Sequence, residues 1–250
     1  MSTVDYILDL LYPPTCLVCG ELQVPGTKVP LCRSCQQKWE ELRRSTCPLC
    51  KQPQTLCQCV PPLLSELARN VACVHLVPYE QNSVAGRLLL TAKDERLPRL
   101  TNFFADEWQA VLAVRDIPSN SDKPVLTYLP RSRDRAFEKG VDPSKALAKA
   151  LGERIGIEMT ECFARRNAPP QKEMGVTERL RSARRTYRLR KRCPSLEGAT
   201  VLLVDDILTT GATMLAGVEL LSAAGAKKIC CITVGHSIEK IEKGNNHRNS

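Results

Sequence analysis

Apolar residues along the second half of the chain follow two alternating patterns. Short unbroken runs of β-forming residues, Val201-Leu202-Leu203-Val204 foremost, read as strands buried on both faces of a parallel sheet. Between them apolar residues recur at helical spacing. The pattern predicts strands over 71–77, 125–129, 158–163, 201–204 and 228–234, and helices over 83–93, 103–114, 143–155 and 212–224. Phe104, Trp108, Val111 and Leu112 share one face of the second helix, and Pro143 suits a first helical turn, where its missing N–H is no loss. Alternating strands and helices imply an α/β fold, a parallel sheet flanked by helices. Ligands in such a sheet bind beyond the carboxyl ends of the strands.

Residues 1–60 follow another logic. An apolar helical stripe (Val4, Ile7, Leu8, Leu11) leads into cysteines spaced Cys16-x2-Cys19, Cys32-x2-Cys35, Cys47-x2-Cys50 and Cys57-x-Cys59. Eight of the thirteen cysteines lie in this stretch. Paired thiolates on tight turns suit closed tetrahedral zinc sites, and grouped cysteines of this kind favour metal in a reducing compartment over disulfides. The simplest pairing is sequential: Cys16, Cys19, Cys32 and Cys35 on one ion, Cys47, Cys50, Cys57 and Cys59 on the other. Spacing alone leaves interleaved pairing open. Cys73, Cys162, Cys230 and Cys231 fall in or beside predicted strands and read as small core hydrophobes, whereas Cys193 has no evident partner. His75, within a strand, reads as a structural histidine. Pro61-Pro62 marks a boundary. The expected organisation is a small double zinc ribbon with a leading helix (1–60), an α/β domain (61–236) and a polar tail (237–250).

Charge changes the picture in one place. The chain carries a formal net charge of +9. Residues 165–192 hold eleven Lys/Arg against Glu173 and Glu178, so this segment accounts for the whole excess. A local anionic partner is expected. Pro130-Arg131-Ser132-Arg133-Asp134-Arg135, at the end of strand 125–129, adds three guanidinium groups suited to phosphate oxygens. No apolar run approaches the roughly 20 residues of a membrane span. Asp5 and Asp9 break the N-terminal stripe and no basic region precedes it, so a cytoplasmic location is expected rather than secretion.

The sharpest chemistry lies in Val201–Thr213, VLLVDDILTTGAT. Asp205 and Asp206 follow the apolar strand, and Thr209-Thr210-Gly211-Ala212-Thr213 leads into a helix. Helix N-terminal amides, a glycine allowing close approach and hydroxyl donors suit a phosphate. Two carboxylates beside a phosphate need hydroxyls or a metal to bind. A sugar phosphate answers both requirements. The stretch resembles the 5-phosphoribosyl-1-pyrophosphate (PRPP) signature of type I phosphoribosyltransferases. That resemblance implies that Asp205 and Asp206 hold the ribose hydroxyls, that Thr209, Thr210, Gly211, Ala212 and Thr213 hold the 5′-phosphate, and that Mg²⁺ accompanies PRPP.

With Pro13-Pro14-Thr15-Cys16-x-x-Cys19-Gly20, the later cysteine pairs, Lys93, Arg135-x-Phe137 and Leu147-Ala148, the chain resembles the ComF (GntX-like) family, a zinc ribbon fused to a phosphoribosyltransferase-like domain. Gln171, Met174, Arg179 and Tyr187 match the family's mobile loop, which closes over pyrophosphate in phosphoribosyltransferases. Arg135-Ala136-Phe137-Glu138-Lys139 departs from the usual Arg-Gly-Phe-Asn-Gln, and Ser182 replaces a customary Asn. The family is associated with DNA uptake in natural transformation. Two functions follow as expectations. One is a competence protein with a PRPP site (Asp205, Asp206, Thr209–Thr213, Arg131, Arg133, Arg135) and a basic loop (Arg179, Arg184, Arg185, with Tyr187 for stacking) that handles single-stranded DNA among other uptake proteins. The other is an active phosphoribosyltransferase acting on a base or amine acceptor.

Overall fold

The computed structural model describes residues 3–67, 69–94, 98–118, 123–131, 142–166 and 176–237. Four strands, β1 (Val71–Pro78), β2 (Pro124–Tyr128), β5 (Thr200–Leu208) and β6 (Lys228–His236), form a sheet in the order β1-β6-β5-β2. Every neighbouring pair in it is parallel. Alternation along the strands sends Leu202, Val204, Cys230 and Ile232 to one face, where α3 (Val84–Asp94), α4 (Pro98–Val114) and α5 (Pro143–Ile155) pack. Val201, Leu203, Ile229 and Cys231 go to the other, under α7 (Ala212–Ala223). The expected parallel α/β sheet is present.

Local signals set the ends of α5. Asp142 is its N-cap, accepting from Lys145 N, Pro143 occupies the first turn, and Gly156 closes it in the left-handed region at φ 70°.

The structure departs from expectation at 158–163. There Met159 makes one isolated parallel bridge to Leu126, and Cys162 N–H turns back to Thr160 O at 3.1 Å and to the Thr127 hydroxyl at 3.3 Å instead of reaching a carbonyl of β2. The strand forms later, as β3 (Phe163–Arg165), antiparallel to β4 (Tyr187–Leu189) in a separate two-stranded sheet. Between them α6 (Val176–Thr186) forms in the basic segment, where no helix is expected. β5 also runs on through both aspartates to Leu208 because β6 pairs with it as far as His236. Cys193 does find a neighbour, the buried Cys162, whose thiol is pushed up to about 12 by burial and then by hydrogen bonding to Cys193.

In the N-terminal segment α1 (Thr3–Leu11) precedes the first cysteine turn and α2 (Arg33–Arg44) starts directly after Cys32. Trp39 on α2 is 0% exposed. Its ring lies 5.3 Å from Phe103 and 5.8 Å from Phe104 on α4, and ring pairs of this kind are each worth about 0.5–1.5 kcal/mol beyond burial. Cys16, Cys32 and Cys35 join the same apolar cluster. The cysteine segment thus packs into the core of the sheet's α4 side.

Candidate functional site

Two cysteine shells form, and the pairing is sequential: Cys16, Cys19, Cys32 and Cys35 in one, Cys47, Cys50, Cys57 and Cys59 in the other, with the sulfurs of each set within 4.8 Å of one another. All eight are free thiols. Each shell begins on the same kind of knuckle. Gly20 N–H bonds to Cys16 O and Lys51 N–H to Cys47 O, both at 2.9 Å, and Gly20 and Lys51 both adopt positive φ, 77° and 60°. Tetrahedral zinc with Zn–S near 2.3 Å separates its sulfurs by about 3.8 Å. Cys19 and Cys32 stand at 3.6 Å and Cys47 and Cys59 at 3.9 Å, which fits. Burial pushes the Cys35 and Cys59 thiols up to about 12, so full ionisation of either shell requires a cation at its centre.

A central strand of the sheet, β5, carries Asp205 and Asp206. Asp205 Oδ1 accepts from Ser144 Oγ and from Asp206 N–H, both at 2.9 Å. Asp206 Oδ1 accepts from Ile207 N–H at 2.7 Å. Asp205 keeps some exposure to solvent at its surface, yet protein surrounds it closely enough that burial first, and the charge of Asp206 second, raise its pKa to about 7. Adjacent carboxylates can receive hydroxyl groups and share a cation.

Beyond them Thr209 and Thr210 are half-buried and Thr213 is exposed. Gly211 caps α7 at φ 82° and has no side chain to bond the first amides of the helix. A residue with a Cβ would be strained there and would press on Pro61 Cβ at 3.0 Å. The helix start can present backbone N–H groups to an anion.

The arginine loop starts at Pro130. Arg131 N–H bonds to Asp142 Oδ2 at 3.0 Å. Two donors converge on the Pro130 carbonyl, Tyr187 OH at 3.2 Å and Arg165 Nη1 at 3.5 Å, while the Arg165 guanidinium stacks 5.4 Å from the Tyr187 ring centre. Arg133 and Arg135 lie outside the described residues, as do Gln171, Met174 and the side chain of Arg179.

The basic segment differs from its sequence reading in two respects. Tyr187 is 6% exposed, with Phe163 edge-on to its ring and Arg165 over it. It is a packing residue that braces the arginine loop, not an open platform for a base. Arg184 is committed to Glu219, with Nε–Oε2 at 2.8 Å, and Arg190 binds Phe163 O and Glu161. Arg185 remains exposed, together with Arg181, Arg188, Lys191 and Arg192. Sequence reasoning missed Ser144, Asp142 and the bracing role of Arg165, since each acts on residues brought near only by folding.

Comparison with known families matches two stretches of the chain. The double zinc ribbon domain matches residues 7–70 and the phosphoribosyl transferase domain residues 138–249. The competence protein ComFC of Bacillus subtilis is 26% identical over 204 residues, 76% of each chain. The chain carries a ComF-like zinc ribbon fused to a phosphoribosyltransferase fold. A ribose-phosphate pyrophosphokinase of Thermococcus kodakarensis is 35% identical to the ComF-like protein over 82 residues, a third of this chain and 24% of the kinase. A hypoxanthine phosphoribosyltransferase of Staphylococcus aureus aligns with TM-score 0.38 and 17% identity, over 64% of this chain and 75% of that one. No helix among the described residues is long and apolar enough to cross a membrane.

Proposed function

We propose that this ComF-like protein binds PRPP with Mg²⁺ at the carboxyl end of β5 and acts in the cytoplasm in DNA uptake during natural transformation, handling single-stranded DNA with other uptake proteins. The observation that carries the ligand assignment is the arrangement around Asp205: a carboxylate raised to about 7, bonded to Ser144 and adjacent to Asp206, followed closely by a helix start capped by a glycine. In this reading Asp205 and Asp206 receive the ribose hydroxyls, and residues 209–213 bind the 5′-phosphate. Arg131, Arg133 and Arg135 bind the pyrophosphate. Mg²⁺ would be held by the two aspartates and would offset the charge of the diphosphate. The likeness to a protein named for competence, and the exposed Arg181, Arg185, Arg188, Lys191 and Arg192, support the DNA reading.

A second reading is favoured by the matched phosphoribosyl transferase domain: turnover. An acceptor lone pair would form the bond to C1′ as the C1′–O bond to pyrophosphate breaks, with the protein contributing position and charge neutralisation. One set of titrations separates these readings. Asp205→Asn/Asp206→Asn is expected to abolish Mg²⁺-PRPP binding, and unchanged affinity would refute the site. Neutralising the five exposed cations is expected to remove most of the salt dependence of single-strand binding, about 0.7 in logarithmic slope for each DNA phosphate that no longer meets a cation. A salt slope unaffected by the neutralised variant refutes the DNA reading. Pyrophosphate release with any acceptor in a base and amine screen establishes the enzyme.

A further inference from the structure

Behind the second cysteine shell lies a group that shares Cys57 with that shell and adds two histidines, His75 and His236, with no role in either site described above. Cys57, His75 and His236 each bring one ligand atom to within 4.8 Å of the others, and all three residues are buried. The two imidazoles stack with ring centres 4.2 Å apart.

Their hydrogen bonds differ. A carbonyl only accepts, so His75 Nε2–H donates to Cys59 O at 3.2 Å, which leaves Nδ1 to accept from the Thr233 hydroxyl at 3.2 Å. The bond from a ring N–H to a backbone carbonyl is the kind that commonly orients an imidazole whose other nitrogen binds a metal. His236 is 0% exposed, and neither of its ring nitrogens has a hydrogen-bond partner among the described residues. The Val77 carbonyl acts on its ring without reaching hydrogen-bond geometry. A buried imidazole with two idle nitrogens is unfavourable unless something takes its lone pair.

We propose that Cys57, His75 and His236 hold a further zinc ion, joined to the ion of the second cysteine shell through the Cys57 thiolate. One sulfur and two imidazole nitrogens form a donor set suited to zinc, with a fourth position left for water. His75 enters this shell by exchanging one neutral hydrogen bond for a metal bond, and the rotatable Thr233 hydroxyl is the easier partner to release. The ion would sit at the junction of the ribbon and the sheet, on the strand where Thr233 pairs with Asp205.

Metal counting tests this. Full-length protein loaded with excess Zn²⁺ and freed of loose metal by desalting is expected, by native mass spectrometry, to carry one zinc more than His236→Gln, with matching far-UV circular dichroism. Equal loads in the two folded proteins overturn the proposal, whether a water satisfies His236 or the extra ion lies elsewhere. If His236→Gln unfolds or loses more than one ion, stepwise Co²⁺ loading of the wild type decides. Absorption of a mixed nitrogen and sulfur shell, growing in after the two all-sulfur shells are full, supports the site; a spectrum complete with those shells overturns it.

Discussion

Ser144 Oγ donates a 2.9 Å hydrogen bond to Asp205 Oδ1 across 61 residues of sequence, tying the first turn of α5 to the end of β5. The bond holds the carboxylate in one orientation and favours its charged form. Ser144→Ala is expected to lower PRPP affinity about tenfold, the equivalent of roughly 1.4 kcal/mol for a hydrogen bond to a charged group, with the fold intact. Isothermal titration calorimetry checks it. Equal affinity in the two proteins would show that Ser144 plays no part in ligand binding.

Protonation of Asp205 gives a second prediction. Its pKa is about 7 in the folded protein, raised by burial and then by Asp206, whereas an unfolded aspartate titrates near about 4. The folded state therefore retains a proton that the unfolded chain releases. This contribution to stability is fully present below about pH 4 and is lost as pH rises through about 7. Asp205→Asn cannot ionise. The stability of wild type minus that of the variant is expected to fall steadily from about pH 5 to about 7.5 in urea titrations. A difference independent of pH over that window contradicts it. Ribose hydroxyls donating to the carboxylate would favour its ionised form, so PRPP binding near neutrality should release a proton, detectable as a calorimetric enthalpy that varies with the buffer.

Removing zinc should reach beyond the ribbon. Trp39 packs on Phe103 and Phe104 in one apolar cluster with Cys16, Cys32 and Cys35. A strong chelator is expected to unfold the cysteine segment, shift Trp39 emission to the red and lower the melting temperature of the sheet domain, whose α4 loses its cover. The red shift should be absent in Trp39→Phe. A chelated protein with unchanged emission and melting would mean that these shells do not support the core.

Arg115 offers the most direct test of how the second shell is anchored. Its guanidinium donates to Thr55 O (3.0 and 2.7 Å), Cys57 O (2.7 Å) and Cys73 O (2.9 Å), joining the Cys57 turn to edge strand β1. Arg115→Ala leaves these carbonyls short of donors and should cost about 2–4 kcal/mol and speed zinc release. Arg115→Lys, whose donors all sit on one nitrogen and cannot span the three carbonyls, should restore only part of this. The readouts are urea unfolding and the rate of metal transfer to a coloured chelator, and a release rate equal to wild type would dissociate Arg115 from the metal shell.

Much of this was readable from order along the chain. Cysteine spacing gives the thiolate pairs because a knuckle closes within four residues, Gly20 N–H on Cys16 O and Lys51 N–H on Cys47 O, while folding decides which pairs share a shell. The adjacent acids and the hydroxyl-glycine turn are equally local, and the alternating apolar runs give the parallel sheet. The strand expected over 158–163 stops after one bridge because the Cys162 amide, which the pattern assigns to a ladder, goes to Thr160 O within its own segment and to Thr127 Oγ1. Tyr187 fails as a stacking residue because Phe163, Arg165 and the Pro130 carbonyl converge on it.

What sequence by itself determined, then, is whatever neighbouring residues decide among themselves: turn geometry, helix starts, side-chain periodicity and the identity of the candidate ligands. Tertiary structure decided which surface cations meet an acid of the same chain, as Arg184 meets Glu219. It also raised the pKa of Asp205 and set His75 against His236 beside Cys57. Those properties depend on burial and on partners distant in the chain, and desolvation is a property of the surroundings rather than of any residue's position in the sequence.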